Sequence, residues 1–415
     1  MDIKGAYLNA KMENPTGCKT YLKFNKDLAD IYCKVNPSAT KLRKKDGILY
    51  LRADRALYGC IQSSFLWQRE LTQALVKQMG FKLSSYDNCV AVSENGKIIV
   101  AFHVDDLLVS CVSLEDQKWF IRKLQKIFTL KYQTGNELDY LGMHIEYVPG
   151  KHISLSQHAM VEKLVRDVHG HSKTPEGVSE EGDLDDAKVA VLSFEDAATY
   201  RSQTALCLYL AKRTRPDWLH AVNLLCRKAQ NPNVKDLDRL KRLLRYASLT
   251  RKKVLLLVCH ELKLYVFIDA SFATSLDRKS TTGVVIMLGQ AVIWCKSGKQ
   301  SIVTKSSMEA ELVALSDMAS MALWMCLFLQ DVGIDIEPPI IYQDNQSTIS
   351  VITKGLTSKV STRHIDVRRL WIREIVDANR VVLSYMPTEE MVADGFTKAL
   401  SGERFKNFAK ALHII

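Results

Sequence analysis

The chain has 415 residues, 47% hydrophobic and 25% charged, which suffices for about two to four domains and excludes a disordered or fibrous protein. The formal net charge of +11 attracts polyanions, although a basic balance serves solubility equally well. The ten scattered cysteines include no Cys-x-x-Cys pair, which predicts reduced thiols and an intracellular protein. We expect no targeting signal and no membrane span, since the apolar stretch 318–330 is shorter than the ~20 residues that cross a bilayer.

The first 150 residues are predicted to form an α+β unit that ends at the Pro149-Gly150 turn. Short β-branched segments alternate there with a helical pattern over 64–79. Residues 89–94 and 97–104 are predicted to be two strands joined by a type I′ turn at Asn95-Gly96.

Positions 172–188 are rich in Glu, Asp, Gly and Ser, which predicts a solvated acidic linker. A cation-binding loop is the alternative, but the acids lack a known ligand spacing. A helical section follows over 199–249, in which Pro216 suits the first turn of a helix and Asp217 favours its dipole. The basic helix face over 239–245 either lies on phosphates or is simply solvated.

After residue 260 strands alternate with helices, which predicts an α/β sheet with helices packed on it. We predict, in chain order, a strand at 262–268, a hairpin of 283–288 with 291–294, a helix at 309–332 stopped by Gly333, strands at 339–343 and 381–386, and a helix from Gly395 onward.

Four acids fall at the ends of these elements. Asp269 and Asp344 each end an apolar strand directly, Glu311 opens the long helix, and Asp394 stands at the head of the last helix. Taken singly, each acid is better explained as a cap or turn residue. Brought together over one sheet, their charges would repel unless divalent cations neutralised them. Two Mg²⁺ ions held in this way support in-line attack of water on a phosphodiester.

A second set of acids lies near the N-terminus. Asp2 begins an Asp-Ile-Lys-Gly-Ala-Tyr segment, and Asp105-Asp106 follows the strand over 98–104. Neighbouring side chains on a strand point to opposite faces. A tight turn must therefore swing both toward one site, or only one of them binds metal strongly.

Several segments carry a family resemblance when read together in this order. They are Asp2–Asn9, Ala56–Trp67, Phe102–Val109, Tyr140–Ile145, Thr214–Asp217, Asp277–Gly283, Ser306–Glu311, Tyr342–Ser347, Arg363–Arg368 and Val392–Lys398. The set resembles the Pol polyproteins of Ty1/copia-type LTR retrotransposons over nearly the whole chain. The resemblance implies an α+β reverse transcriptase palm and helical thumb/connection, followed by an α/β RNase H-like domain with a central mixed sheet.

The implied domains are a palm at 1–150 without its N-terminal fingers, a thumb/connection-like region at 151–258, an RNase H-like domain at 259–400 and a C-terminal tail at 401–415. The implied activities are RNA-directed DNA polymerase and ribonuclease H. The implied cofactor is Mg²⁺, two ions per active site, with Mn²⁺ as an alternative. The implied partners are an RNA template, a DNA primer, RNA-DNA hybrid, deoxynucleotides and other Pol or Gag products, but no membrane.

The resemblance also implies residue roles. Asp2, Asp105 and Asp106 would bind the polymerase metals, Tyr7 would pack beneath the deoxyribose, and Gln62 would touch the incoming nucleotide. Asp269, Glu311, Asp344 and Asp394 would bind the RNase H metals. We prefer Glu311 to Glu309, because the two lie about 200° apart on a helix and only one can face the site.

Departures from the family pattern weigh on the polymerase. His103 replaces the usual Tyr before Val-Asp-Asp, and Ile61 replaces Lys. We also expect the fingers that grip the triphosphate to be missing from this chain. RNase H is thus the activity we expect to be intact. Its loop before Asp394 has no histidine, for which His364 is a candidate substitute, although a structural histidine is the simpler interpretation.

Three hypotheses follow. The first is a reverse transcriptase/ribonuclease H located in the cytoplasm, in virus-like particles, with a nuclear stage. The second is a catalytically inactive relic that only binds nucleic acid, for which steep salt dependence without cleavage would speak. The third is another nuclease of the same fold, such as an integrase, whose acid spacing and zinc module are not found in this sequence.

Overall fold

The computed structural model describes residues 1–13, 17, 19–166, 168, 177–178, 189–354 and 363–415, without the side chains of 363 and 364. The chain divides into two compact units, 1–133 and 134–415. The acidic linker predicted at 172–188 lies outside the described residues except for 177–178, and so does the side chain of His364. The division into four domains stays a prediction.

The first unit is built on antiparallel strands with helices packed on one sheet. Its elements are β1 (Asp2–Ile3), α1 (Ala6–Asn9), β2 (Tyr21–Phe24), α2 (Lys26–Val35), β3 (Leu49–Arg52), α3 (Ser63–Gln73), β4 (Phe81–Leu83), β5 (Val90–Ser93), β6 (Ile98–His103), β7 (Asp106–Cys111), α4 (Leu114–Gln125) and β8 (Leu130–Lys131). The six-stranded sheet has the order β4-β5-β6-β7-β1-β8, and β2 pairs with β3. Trp67 and Leu71 of α3 join Phe120 and Leu124 of α4 in its core.

The helix predicted at 64–79 is confirmed, since α3 continues through a π-helical turn, Ala74–Gln78. The hairpin of β5 and β6 is confirmed as well, but its turn type was wrong. Gly96 has a φ of +69°, whereas Asn95 does not have the positive φ that a type I′ turn requires. The Gly96 N–H instead donates to the Ser93 carbonyl at 2.8 Å, which makes Ser93 to Gly96 a four-residue turn.

Within the described residues, the second unit contains two sheets and most of the helices. Its elements are β9 (Glu137–Tyr140), β10 (Met143–Val148), β11 (His152–Ser156), α5 (His158–Leu164), α6 (Phe194–Ala211), α7 (Leu219–Arg227), α8 (Val234–Leu249), β12 (Leu255–Leu257), β13 (Leu264–Ser271), β14 (Thr281–Leu288), β15 (Ala291–Lys299), α9 (Ser307–Asp331), β16 (Ile340–Gln343), α10 (Gln346–Lys354), α11 (Arg363–Asp377), β17 (Val382–Tyr385) and α12 (Gly402–Ala411). Pro149-Gly150 forms the turn of the β10–β11 hairpin, inside the antiparallel sheet β12-β11-β10-β9.

The helices predicted over 199–249 are present as α6, α7 and α8, and Pro216 opens the 3-10 turn that leads into α7. Asp217 has a different role from the predicted one. It is fully buried and accepts two hydrogen bonds from the Arg215 guanidinium, at 3.1 and 2.8 Å, and one from the Tyr246 hydroxyl at 3.0 Å. The Arg215 guanidinium lies 4.3 Å from the Trp218 ring centroid. This buried ion pair connects the start of α7 to α8.

The predicted basic face of α8 is partly used within the protein. Arg239 pairs with Asp236 at 2.9 Å, and the Arg242 Nε donates to the Gly177 carbonyl at 2.9 Å. Lys241 pairs with Asp238 at 3.6 Å and remains exposed.

The expected α/β domain with a central mixed sheet is confirmed. The order is β15-β14-β13-β16-β17, where β13, β14 and β15 are antiparallel and β13, β16 and β17 are parallel. The long helix α9 packs its apolar side chains against β13 and β14. The Ser306 side chain caps the start of α9. After the end of α9, Gly333 has a φ of +88° and the Ile334 N–H donates to the Leu329 carbonyl.

Among the described residues, α9 is the one helix long and apolar enough to cross a membrane, but most of that stretch is buried in the core. The helix predicted at 309–332 is therefore present as a core helix.

The prediction that a helix starts at Gly395 was wrong about the first residue of that helix. Asp394 lies within a 3-10 helix, Val392–Phe396, and α12 begins only at Gly402. The residues after 400 are well packed, since Phe405, Phe408 and Leu412 join the core formed by α6, α7 and α8.

Candidate functional site

Asp269 and Glu311 are placed side by side in the second unit by β13 and α9. Asp269 is 2% exposed and Glu311 is 5% exposed. The strand does not end at Asp269 as predicted but continues to Ser271. The Ala270 N–H donates to Glu311 Oε1 at 3.1 Å. The Gln343 amide at the end of β16 donates to Glu311 Oε2 at 3.3 Å. The Glu311 carboxylate is therefore oriented by two donors from two strands.

Asp344 completes a compact group of acids at the carboxyl ends of the parallel strands. Carboxylate oxygens of Asp269, Glu311 and Asp344 all lie within 4.8 Å of one another. Asp344 follows β16 directly, is half-buried, and accepts a hydrogen bond of 2.8 Å from the Thr388 hydroxyl. This spacing lets a single divalent cation touch all three side chains.

Asp394 lies beside this triad and is joined to it by a lysine. The Lys398 ammonium donates to Asp394 Oδ1 at 2.7 Å and lies 3.7 Å from Asp269 Oδ1. The Thr397 hydroxyl donates to Asp269 Oδ2. All four predicted acids thus meet in one place, although Asp394 is not among the three whose oxygens share the shortest spacing.

Burial and like charge raise the pKa of each strongly buried acid. The pKa of Asp269 rises to about 6, because burial and the nearby Asp394 outweigh the opposing Lys398. Burial raises the pKa of Glu311 well above its ordinary value, and Asp269 and Asp344 add to that rise. Burial also raises the pKa of Asp394, against the effect of Lys398. Positive charge would stabilise the ionised form of these clustered carboxylates. Because every candidate ligand atom is an oxygen, the site fits a hard divalent cation.

Lys398 supplies some of that positive charge. Burial works against its ammonium, but the carboxylates of Asp269 and Asp394 raise its pKa. Its side chain is 42% exposed, so the ammonium stands at the rim of the acidic group and not within it.

Two glycines let the Asp394 segment lie close to its neighbours. A Cβ at Gly283 on β14 would lie 2.6 Å from Thr397 Cγ2 and 2.8 Å from the Ala393 carbonyl oxygen. A Cβ at Gly395 would lie 2.3 Å from the Phe408 ring of α12. The height of the Asp394 segment above the sheet is therefore set by direct backbone approach.

The choice between Glu311 and Glu309 has a local explanation. Glu309 is the third residue of α9, where its carboxylate accepts from the Lys305 N–H at 2.7 Å while the Ser306 hydroxyl accepts from the Glu309 N–H at 3.2 Å. This reciprocal capping keeps Glu309 at the helix start. Glu311 faces Asp269, as the sequence analysis preferred.

Sequence reasoning missed the residues that support these acids. Thr397 and Lys398 lie in the quoted Val392–Lys398 segment, and the four-residue spacing of Asp394 and Lys398 was a signal for an ion pair on one helical turn. Gln343 directly precedes Asp344 and was visible only as part of a strand.

The acids of the first unit are neighbours in the backbone but form a looser group. Asp2 of β1 lies opposite Asp106 of β7, and the Ile3 N–H donates to the Asp105 carbonyl at 3.0 Å. Burial raises the pKa of Asp106, and the charges of Asp105 and Asp2 raise it further. In the described part of the chain, only the triad around Asp269 has its ligand atoms all within 4.8 Å, so these three acids do not reach that spacing.

The turn before Asp105 is held in an unusual conformation. Val104 has a φ of +57°, a region that β-branched residues rarely adopt. The buried Trp67 of α3 donates its indole N–H to the Val104 carbonyl at 2.6 Å. This contact fixes the turn that carries Asp105 and Asp106 between β6 and β7.

Tyr7 lies on α1, and Gln62 immediately precedes α3. The Tyr7 ring contacts the Tyr58 ring with centroids 4.5 Å apart, and Tyr58 is 59% exposed. The pKa of Tyr58 is raised by desolvation and by the charges of Asp105 and Asp2. The Gln62 amide lies 3.5 Å from Met12 Sδ.

Comparison with known proteins finds similarity to reverse transcriptases and to transposon Pol polyproteins. Residues 1–175 match the sequence family described as reverse transcriptase (RNA-dependent DNA polymerase). The chain is 28% identical to the retrovirus-related Pol polyprotein from transposon TNT 1-94 of Nicotiana tabacum, covering 98% of this chain and 30% of the relative. It is 26% identical to the truncated transposon Ty1-A Gag-Pol polyprotein of Saccharomyces cerevisiae, covering 98% and 34%.

A solved structure of the foamy viral protease-reverse transcriptase in complex with RNA/DNA hybrid is similar at a TM-score of 0.49 and 11% identity, covering 93% of this chain and 43% of that one. The chain spans about a third of the length of the curated relatives that it matches.

Proposed function

We propose that the chain is part of a Pol polyprotein of the Ty1/copia retrotransposon type and that it carries reverse transcriptase and ribonuclease H chemistry, of which the RNA-DNA hybrid-cleaving ribonuclease H is the better assembled. The observation that carries this proposal is the buried triad of Asp269, Glu311 and Asp344, whose carboxylate oxygens lie within 4.8 Å of one another. The substrates proposed for this site are RNA-DNA hybrids, in keeping with the cationic net charge of +11.

Asp269, Glu311, Asp344 and Asp394 would hold two Mg²⁺ ions, with Mn²⁺ as an alternative. Ions so bound supply Lewis acidity and a water of lowered pKa for in-line attack on a phosphodiester. The chain's own contribution is orientation. The Ala270 N–H and the Gln343 amide fix the Glu311 carboxylate, and the Thr397 hydroxyl fixes Asp269.

Lys398 compensates carboxylate charge at the rim of the site through its contacts with Asp394 and Asp269. A site that is held by hydrogen bonds before any ligand arrives loses little free energy to reorganisation during the reaction.

For the first unit we propose DNA synthesis on an RNA template from a DNA primer and deoxynucleotides. Asp2, Asp105 and Asp106 would bind the metal ions of that reaction, with Tyr7 beneath the sugar and Gln62 near the nucleotide. The register of Asp2 opposite Asp106 and the hold of Trp67 on the Val104 turn support this assignment. The wider spacing of these acids is why we rank synthesis below hybrid cleavage.

We propose a cytoplasmic location within virus-like particles, alongside other Pol or Gag products, with a nuclear stage. The similarity to transposon Gag-Pol polyproteins supports this proposal.

The test uses a labelled RNA-DNA hybrid in Mg²⁺ with the full chain and with Asp269→Asn. We expect cleavage of the RNA strand by the wild type and a loss of at least about a hundredfold in the variant, since a metal ligand is removed. Equal cleavage by both proteins would contradict the site. Salt-sensitive hybrid binding by a wild type that does not cleave would favour the inactive nucleic-acid-binding relic.

A further inference from the structure

One face of α7 carries three polar side chains that make hydrogen bonds to residues outside helices α6, α7 and α8. His220, Asn223 and Arg227 are spaced by three and then four residues, which places them on the same side of the helix. The apolar residues Val222 and Leu225 of α7 are buried in the core with α6 and α8. The polar face therefore points toward the five-stranded sheet.

His220 contacts the segment that carries Asp394. Its Nδ1 lies 3.2 Å from the Phe396 carbonyl oxygen, and because a carbonyl only accepts, Nδ1–H is the donor. Burial lowers the pKa of His220 to about 4, which keeps the ring neutral and leaves one nitrogen with a proton. The bonded carbonyl belongs to the 3-10 helix that positions Asp394 and leads directly into Thr397 and Lys398.

Asn223 and Arg227 reach the other side of the same site. The Asn223 amide donates to the Ser297 hydroxyl of β15 at 3.1 Å. The Arg227 guanidinium donates to Ser275 Oγ and Thr281 Oγ1, both at 3.0 Å. Ser275 lies in the loop that follows β13, and Thr281 is the first residue of β14, where that loop ends. One arginine therefore binds two points of the loop that follows the Asp269 strand.

We propose that the polar face of α7 is a positioning element for the hydrolytic site, with His220 setting the Asp394–Lys398 segment and Arg227 setting the loop after Asp269. The proposal rests on the hydrolysis proposed above and deepens it. His220 and Arg227 act through the backbone and hydroxyl groups that they hold, without touching the carboxylates. The helix that belongs to the connection-like region is thereby part of the nuclease.

The experiment compares His220→Leu with His220→Asn in the full chain. The Asn amide can place an N–H close to the position of Nδ1, whereas Leu cannot donate. We expect His220→Leu to lower kcat for hybrid cleavage roughly tenfold, as loss of one buried hydrogen bond implies, with little change in KM for the hybrid. His220→Asn should restore most of that rate.

Hydrogen exchange provides a readout that does not depend on activity. The Thr397 and Lys398 amides donate to the Asp394 carbonyl at 3.1 and 2.9 Å, so their protection reports whether the segment is held. We expect faster exchange at 392–398 in His220→Leu and near-normal exchange in His220→Asn. The exchange measurement can be made even where the wild type cleaves no hybrid. Failure of this inference can therefore be distinguished from failure of the proposed function.

Val222→Ala is the matched control, because Val222 is buried on the opposite face of α7, about 200° from His220. It should lower Tm while leaving kcat and the exchange of 392–398 near wild type. Where His220→Leu does not fold, Arg227→Met tests the other end, with faster exchange expected across 272–281. Unchanged exchange in these segments for the folded variants, or equal effects of Val222→Ala and His220→Leu on kcat, would overturn the proposal.

Discussion

Replacing Asp269 with asparagine should make the metal-free protein more stable while it abolishes hydrolysis. The Asp269 carboxylate is 2% exposed and lies among three further acids, which is an unfavourable place for a negative charge. Asparagine keeps the shape of the side chain and removes the charge.

The size of the effect follows from the site. The rise in the pKa of Asp269 from 3.8 to about 6 corresponds to a cost on the order of 3 kcal/mol for the ionised form at neutral pH. That cost is already net of the opposing pair with Lys398, which lies 3.7 Å away at the exposed rim. The amide oxygen can still accept from the Thr397 hydroxyl. The expected gain is therefore about 3 kcal/mol, or a rise in Tm of roughly 6 °C.

The assay is thermal unfolding at pH 7.5, with EDTA and then with Mg²⁺. In EDTA the variant should melt above the wild type. Added Mg²⁺ should raise the Tm of the wild type by mass action and leave the variant almost unchanged. A lower Tm for the variant in EDTA, or equal stabilisation of both proteins by Mg²⁺, would refute the view that the acidic group is strained without cations.

Further predictions follow from the same contacts. Because the folded pKa of Asp269 lies above the unfolded one, the metal-free fold binds the extra proton, so its free energy of unfolding should fall as pH rises from about 4 through 6, most simply measured by urea unfolding at each pH. Gly283→Ala should weaken Mg²⁺ binding in calorimetry, since the new Cβ displaces the backbone that carries Asp394; unchanged affinity would contradict this. Asp217→Asn should cost about 3–5 kcal/mol in denaturant unfolding, because it leaves the buried Arg215 guanidinium without its counter-charge.

Much of the fold could be predicted from the sequence because its signals are local. The strand that ends near Asp269, the long helix with Gly333 beyond its end and the hairpin around Gly289 each have a periodicity or a turn residue that acts within a few positions. The gathering of four acids was predictable from their positions at the ends of elements and from the family resemblance. The roles assigned to those acids stay predictions.

The errors and omissions share a physical cause. Asp217 looked like a helix-dipole residue until Tyr246, 29 positions later, completed a buried network around it. His220 contacts a carbonyl 176 positions away, and no local pattern marks such a contact. The turn at Asn95 differed from the prediction because its type is set by the pairing of the strands on either side, which a dipeptide alone does not specify.

The central claim is that carboxylates gathered over the sheet, and not acids of this region in general, are needed for hybrid cleavage. Glu311→Gln and Glu309→Gln test it most directly, since the two residues lie in the same first turns of α9 and only Glu311 faces Asp269. Cleavage of a labelled RNA-DNA hybrid in Mg²⁺ should be lost in Glu311→Gln and kept close to wild type in Glu309→Gln. Retained cleavage in Glu311→Gln, or equal loss in both variants, would contradict the account.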